Sequence, residues 1–415
     1  MSSRPGWQGI PASIPQVPFR RVMTRLDRPV PADAEIVTAY TDGQVTLRRN
    51  RAKIGYHEAT DLSGYQGVEV GDFVVHGLDI LRGSVGVSES RGAMSSVCTV
   101  CRPSPDVDGR YVAYAIRMQA ASGYTRALAR GIREGGADFR RWDTMAELPV
   151  PVPPVADQRR IADFLDDQLS RIDKIIAARR QQLDQLGEYL QAAIDAAFLP
   201  GPGGGAPAGR FVRVLSGWAF PSGSYSADPT DIRLLRGTNV GVGLVRWDDV
   251  VYWPTDRMTG LAPFRLADGD IVLGMDRPWI GDGLRIARLT AEDLPCLLLQ
   301  RVAKLTPSSA IRPAFVFWAY RATAFRQQVE SELTGLAVPH LSAEQILSYR
   351  LPIADIAEQD RLVRGVEEKA GWQRSLKSSI ESAIRLAEEF RRSLITAAVT
   401  GEFDISSADG SRVPA

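Results

Sequence analysis

Lysine, histidine and cysteine are scarce in this 415-residue chain, at five, three and three residues, and each scarcity excludes something. An odd trio of cysteines makes no disulfide framework and fits a reducing compartment. Cys98 and Cys101 form one CxxC with no second pair. In the strand their neighbours predict, positions i and i+3 point to opposite faces, so they read as buried structural cysteines rather than zinc ligands. His57, His76 and His340 show no helical spacing to a second ligand, and surface or turn roles are expected. No apolar run is long enough to span a bilayer, and Met1 to Gly6 lacks the apolar core of a signal peptide. A cytoplasmic protein with no membrane partner is expected. There is no P-loop and no dinucleotide-binding glycine fingerprint, so ATP and NAD are not supported as ligands. Glu367-Glu368-Lys369 contains a nuclease-like ExK string inside a helical pattern, without a partnering aspartate on a strand, and reads as a solvated charge run. No catalytic residue, metal or cofactor is expected of this chain.

What the sequence does contain is a long repeat. Asp143 to Pro200 and Glu344 to Gly401 align without a gap at a constant offset of 201 residues, matching Pro151, Ala156, Gln158, Arg160 and Glu188 to Pro352, Ala357, Gln359, Arg361 and Glu389. A period of about 200 residues is far beyond solenoid repeats. It implies an internal duplication that builds a pseudo-twofold molecule within one polypeptide. In the first copy Leu165, Leu169, Ile172, Ile176, Leu183, Leu186, Leu190, Ala193 and Ala197 follow a 4,3 spacing interrupted only by Arg179. This coiled-coil seam predicts a helix from about Asp163 to Ala197, with Pro153-Pro154 blocking it ahead and Leu199-Pro200-Gly201-Pro202 ending it. The second helix is expected from near Asp355, where Asp355-x-x-Glu358 resembles a capping box. Its stripe is Val366, Trp372, Leu376, Ile380, Ile384, Ala387, Phe390, Leu394 and Ala398, and the two helices are expected to pair antiparallel.

Between the helices, residues 15–140 and 210–340 carry short strand-like runs: Val68 to Val75, Val97 to Val100, Ile271 to Leu273 and Leu297 to Leu305. Gly71-Asp72-Phe73 and Gly269-Asp270-Ile271 form a turn-to-strand unit at a similar place in each half. The expected fold class is α+β: two β-rich mixed domains related by a pseudo-twofold and separated by two long helices in an antiparallel coiled coil.

The net charge of +1 is unevenly spread. Residues 1–142 and 201–342 are net +5 and +2, whereas residues 143–200 and 343–415 are −4 and −2. Positive β-rich segments joined by acidic helices imply that the segments meet phosphate while the helices hold them apart. Arginine supplies nearly all the positive charge; it suits bidentate contact with guanine and phosphate, although a GC-rich genome produces the same bias. Candidate DNA contacts are Arg48, Arg49, Arg51 and Lys53 on a predicted hairpin arm, Arg82 and Arg91 in the same half, and Arg233, Arg236, Asn239, Arg277, Trp279 and Arg285 in the second half.

Two segments carry a family likeness, Leu148-Pro-Val-Pro-Val-Pro-Pro-Val-Ala-Asp-Gln158-Arg-Arg-Ile161 and Arg350-Leu-Pro-Ile-Ala-Asp-Ile-Ala-Glu-Gln359-Asp-Arg-Leu362. They are similar to the proline-rich "P-x-P-P-x-x-E-Q-x-x-I" start of the central conserved regions in specificity subunits of type I restriction-modification systems. The chain departs from that pattern at Asp157 and at Ala354-Asp355. Ser216-Gly-Trp-Ala-Phe220 and Leu298-Leu-Leu-Gln-Arg-Val-Ala303 resemble segments of that family's target-recognition domains. The resemblance covers almost the whole chain. It implies target-recognition domains at residues 1–150 and 210–350, conserved regions at 151–200 (with a linker to about 209) and 351–405, and a flexible tail at 406–415. It also implies a non-catalytic reader of a split, asymmetric sequence in double-stranded DNA. Two adenine methyltransferase subunits, holding S-adenosylmethionine in their own pockets, and restriction subunits are its implied partners. Apolar residues outside the seam, Phe164, Ile175, Tyr189, Phe198, Leu199, Leu362 and Ile395, are then candidates to dock those partners. Two alternatives stay open here: a coiled-coil scaffold protein, and a DNA reader serving another defence system.

Overall fold

The computed structural model describes residues 10–51, 62–128, 132–133, 136–137, 139–199, 204–281, 283–331 and 340–403. The chain divides into two compact units, Met1–Arg179 with Glu381–Ala415, and Arg180–Ile380. The division falls inside both long helices, α2 (Val155–Phe198) and α4 (Ile356–Thr400), so each unit owns a β-rich domain and a piece of each helix.

In unit 1, β1 (Met23–Arg25), β2 (Phe73–His76), β3 (Val85–Val87) and β4 (Cys98–Pro103) form an antiparallel sheet in the order β1-β4-β2-β3. Side chains alternate across it. Phe73, Val75 and Cys101 enter one core with helix α1 (Gly109–Ala121) and the long helices, while Val74, Cys98 and Val100 enter a second core with Val37, Val45 and Val68. The CxxC is thereby split between two faces, as its i, i+3 spacing expects, and burial pushes both thiols up to about 12. Leu165, Leu169, Ile172 and Ile176 of α2 share the first core with Ile395 and Ala398 of α4. Arg391 lies 3.5 Å from Asp173, and Phe403, just past the end of α4, stacks on Phe164, so within this unit the two helix segments run antiparallel.

Unit 2 repeats the design. β5 (Val212–Ser216), β6 (Ile271–Gly274), β7 (Ile286–Arg288) and β8 (Val302–Pro307) pair antiparallel in the order β5-β8-β6-β7. Ile271, Leu273, Ala303 and Leu305 face a core made with helix α3 (Pro313–Tyr320) and with Leu190, Ile194, Val363 and Val366 of the long helices. Val272, Ala287 and Val302 face the other way. The expected stripe on α4 is interrupted, since Trp372, Leu376 and Phe390 are exposed; Trp372 sets its edge against Tyr189 at 6.0 Å.

The sequence repeat has a structural cause. Its paired glutamines are buried and lock the start of each long helix to the β-rich domain. The Gln158 Oε1 accepts from Asp108 N–H (3.0 Å) while its Nε2 donates to Pro153 O (2.8 Å). Gln359 likewise accepts from Arg312 N–H (2.8 Å) and donates to Ala354 O (2.9 Å). This anchoring starts α2 at Val155, eight residues before the expected Asp163. At α4, Asp355 accepts from Glu358 N–H (2.8 Å), but the Glu358 carboxylate turns to Arg361, so the expected capping box is half formed. The extended strip before each helix pairs with a short strand, Gln16–Pro18 with Pro149–Pro151 and Ala206–Pro207 with Arg350–Leu351.

The Gly-Asp turns also coincide. Gly71 and Gly269 adopt φ of 89° and 80°, the left-handed region that favours glycine. Asp72 accepts from Glu69 N–H (2.7 Å) and pairs with Arg28; Asp270 accepts from Ala267 N–H (2.8 Å) and pairs with Lys304. Two expected strand runs are cut by turns, Val68 to Val75 at residues 69–72 and Leu297 to Leu305 at residues 299–301. No helix among the described residues is long and apolar enough to cross a membrane.

Candidate nucleic-acid interface

The end of the unit 2 sheet gathers polar groups on a strained backbone. Beyond β6, Met275 N–H bonds Arg301 O (2.9 Å) and Leu341 N–H bonds Met275 O (2.8 Å), which joins three chain segments. Asp276 stands at the junction, with Arg301 Nη1 at 3.0 Å and His340 Nδ1 at 2.8 Å. Burial pushes the Asp276 carboxyl up, but the hydrogen bonds from His340 and Arg301 outweigh it and hold the group below the usual carboxylate range. Arg277 and Arg301 have φ of 43° and 69°, the only described residues other than glycine with positive φ. Left-handed backbone at a bulky residue costs about 1–2 kcal/mol, and such strain concentrates at functional sites. Trp218, half exposed, joins the same turn, because Gln300 N–H bonds Trp218 O (2.8 Å). Donors, a charged acceptor and an aromatic face lie together here, the chemistry that reads and stacks on bases.

The equivalent place in unit 1 follows from strand register, in which His76 opposite Cys98 matches Gly274 opposite Val302. There Gly77 N–H bonds Val97 O (3.0 Å) and Phe139 N–H bonds Gly77 O (2.9 Å). The backbone ties are the same. Leu78 and Val97 stand where unit 2 has Asp276 and Arg301.

The sequence-derived candidates separate into three groups. Arg48, Arg49 and Arg51 do lie together, on the turn that follows the Val37–Ala39 and Val45–Leu47 hairpin. Arg49 pairs with Glu35 (2.8 Å), Arg51 with Asp42 (2.7 Å), and Arg91 with Glu69 (3.3 Å). Exposed pairs of this kind are worth about 0–1 kcal/mol and exchange readily for phosphate. Arg82 and Arg277 are also exposed, and Lys53 lies outside the described residues.

Other candidates need correction. Asn239 is buried and uses its whole amide on backbone, accepting from Arg236 N–H and donating to Arg246 O and Asp249 O. Arg285 donates to Val240 O, Asp276 O and Gly237 O, Arg233 to Glu292 O and Leu294 O, and Arg236 to Asp249 O. Irregular loops leave carbonyls without strand partners, and these side chains satisfy them. Trp279 is half-buried against Phe325. Arg301, Gln300, His340 and Trp218 were not among the candidates, although the segments carrying Trp218 and Arg301 stand out in the sequence. His76 has the expected turn role, accepting from Asp79 N–H at 3.0 Å.

Among the apolar candidates on the helices, Ile175, Tyr189 and Leu199 are exposed. Phe198 and Ile395 are not available for docking: Phe198 packs edge-on against Phe315 in the unit 2 core, and Ile395 is in the unit 1 core. Phe164 and Leu362 are half-buried against the cores of their own units.

Comparison with known proteins adds to this geometry. The chain is 32% identical over 192 residues to the type I restriction enzyme EcoAI specificity subunit of Escherichia coli, covering 46% of this chain. It is 23% identical over 298 residues to the MjaVIII specificity subunit of Methanocaldococcus jannaschii. The chain is a homologue of type I specificity subunits. The match spans about a third of the EcoAI subunit (32%) and 68% of the MjaVIII subunit. A chain solved in work on complex assembly and conformational transition of the type I R-M system shares the fold, with a TM-score of 0.71 at 14% identity, covering 95% of this chain and 99% of that one. No family model matches the chain.

Proposed function

We propose that this chain is the DNA-reading subunit of a type I restriction-modification complex, in which each β-rich domain reads one half of a bipartite, asymmetric target. The observation that carries this reading is the pair of matched sheet ends, one scaffold presenting Leu78 and Val97 in unit 1 and Asp276 and Arg301 in unit 2. Identical backbone ties with different side chains suit two domains that read different half-sites. At neutral pH the ionised Asp276 is an acceptor suited to a cytosine amino group, and Arg301 is a donor suited to guanine. The exposed Ile175, Tyr189 and Leu199 support docking of two adenine methyltransferase subunits, which hold S-adenosylmethionine in their own sites, with restriction subunits joining the assembly. This chain then contributes address and scaffold, and the reactions belong to its partners.

The test is to co-express the chain with its neighbouring methyltransferase in a methylation-free host and to map modified adenines across the genome. A split motif, methylated on both strands and dependent on this chain, is the expected result. Absence of methylation from a soluble, associated complex would contradict the proposal.

A further inference from the structure

Two half-buried arginines stand at matching places, their guanidinium groups making no hydrogen bond or ion pair to a described residue. Arg117 in α1 and Arg321 just after α3 each lie over the ring three residues earlier, Tyr114 at 5.7 Å and Trp318 at 4.5 Å. Each also lies against a left-handed glycine, Gly43 and Gly243; a Cβ on Gly43 would come within 2.6 Å of Arg117 Nη1. Burial lowers both guanidinium pKa values, and a second arginine lowers them further, Arg391 for Arg117 and Arg374 for Arg321, the latter to about 10. Asp42 and Asp173, the acids that act on Arg117, are already paired with Arg51 and Arg391. A guanidinium half withdrawn from water with no counter-charge of its own is unfavourable, and its retention in both units points to an anion.

In unit 1 the arrangement opens on a cavity of about 360 Å³ whose walls carry Arg82, Arg117, Arg391 and Arg392 against one acid, Glu388. Arg392 is exposed and makes no ion pair with a described residue, and the buried Arg391 Nε has no acceptor. Guanidinium forks of this kind match the oxygens of a phosphate. Position favours DNA over an acidic protein as the source. Arg82 belongs to the β2–β3 connection, the counterpart of the β6–β7 connection that carries Asp276 and Arg277. A duplex that offers base edges to this end of the sheet brings its backbone alongside it.

We propose that Arg117, Arg391 and Arg392, together with Arg82, hold a backbone phosphate of the DNA bound by unit 1. This assignment rests on the DNA-reading function proposed above. The unit 2 counterpart is weaker, because the position matching Arg392 is Gln191, whose amide is committed to Arg321 O (3.0 Å) and Asp195.

The experiment uses the full chain co-purified with its methyltransferase, and measures binding to a duplex carrying the mapped motif across a salt series. R392Q and R117Q should each weaken binding on the order of tenfold near physiological salt and make the log K against log salt slope shallower by about 0.9 per phosphate lost. The methylated motif should stay unchanged, and R321Q should shift the slope less. Arg392 is exposed, so R392Q retains the fold and reports even if R117Q does not. Sequence-preferring binding by the wild type with slopes unaltered in both variants would overturn the phosphate site. Loss of the methyltransferase from the complex with the slope intact would also overturn it, by assigning the arginines to a partner carboxylate. A wild-type complex without sequence preference would instead sink the DNA-reading proposal, and the phosphate site with it.

Discussion

At the end of β2 in unit 1, Gly77 and Val97 share a backbone hydrogen bond beside the exposed Leu78; at the end of β6 in unit 2, Met275 and Arg301 share the same bond beside Asp276. The frame around both is closely matched: the same sheet order, the same glutamine lock, the same Gly-Asp turn. Among the described residues, left-handed backbone outside glycine occurs only in the charged version, at Arg277 and Arg301. The same frame thus carries different side chains at its two sheet ends, as the proposed reading of two unlike half-sites requires.

Frame and surface should respond separately to substitution. Phe198→Ala empties a site in the unit 2 core between α2 and α3 and should cost about 3–5 kcal/mol in urea denaturation, with the methylated motif unchanged. A changed motif at retained fold would show that the core itself sets specificity. Next in size, Gln158→Ala and Gln359→Ala each remove a buried side-chain amide that bridges two backbone groups and should destabilise by about 1–3 kcal/mol. The two costs should be similar, with Gln359 the larger because it also donates to Ala310 O (3.3 Å); a large difference in melting shift would show that the two frames are not energetically equivalent. The smallest effect is expected at the strained surface. Arg277→Gly should raise stability by up to about 1 kcal/mol through relief of the left-handed backbone, while relaxing recognition in one half of the motif. Lower stability in a calorimetric scan would mean that Arg277 supports the fold rather than the reading.

Much of the frame is legible in the sequence, because it rests on local signals: the prolines ahead of each helix, the repeated glutamine, the apolar seam from Leu165 to Ile176, the glycine before each strand. The early start of α2 is not, since it depends on Gln158 reaching the backbone at Asp108, fifty residues away. The site was less legible. An arginine in a loop looks the same whether it faces solvent, as Arg49 does, or satisfies carbonyls, as Arg285 does, and the choice depends on which carbonyls the tertiary fold leaves unpaired. Phe198 and Ile395 depart from expectation for a related reason: an apolar residue off the seam is exposed only where no β-rich domain packs on that face of the helix. The segment of Arg301 stands out in the sequence, but the role of Arg301 itself does not, because its left-handed φ arises at the turn between Leu298 and Val302.

Mapping methylated adenines for the wild-type complex and for the D276A/R301A variant decides whether one frame reads two half-sites independently. With independent reading, one half of the split motif becomes degenerate while the other half and the spacing remain as in the wild type. Degeneracy in both halves, or an unaltered motif, would contradict it.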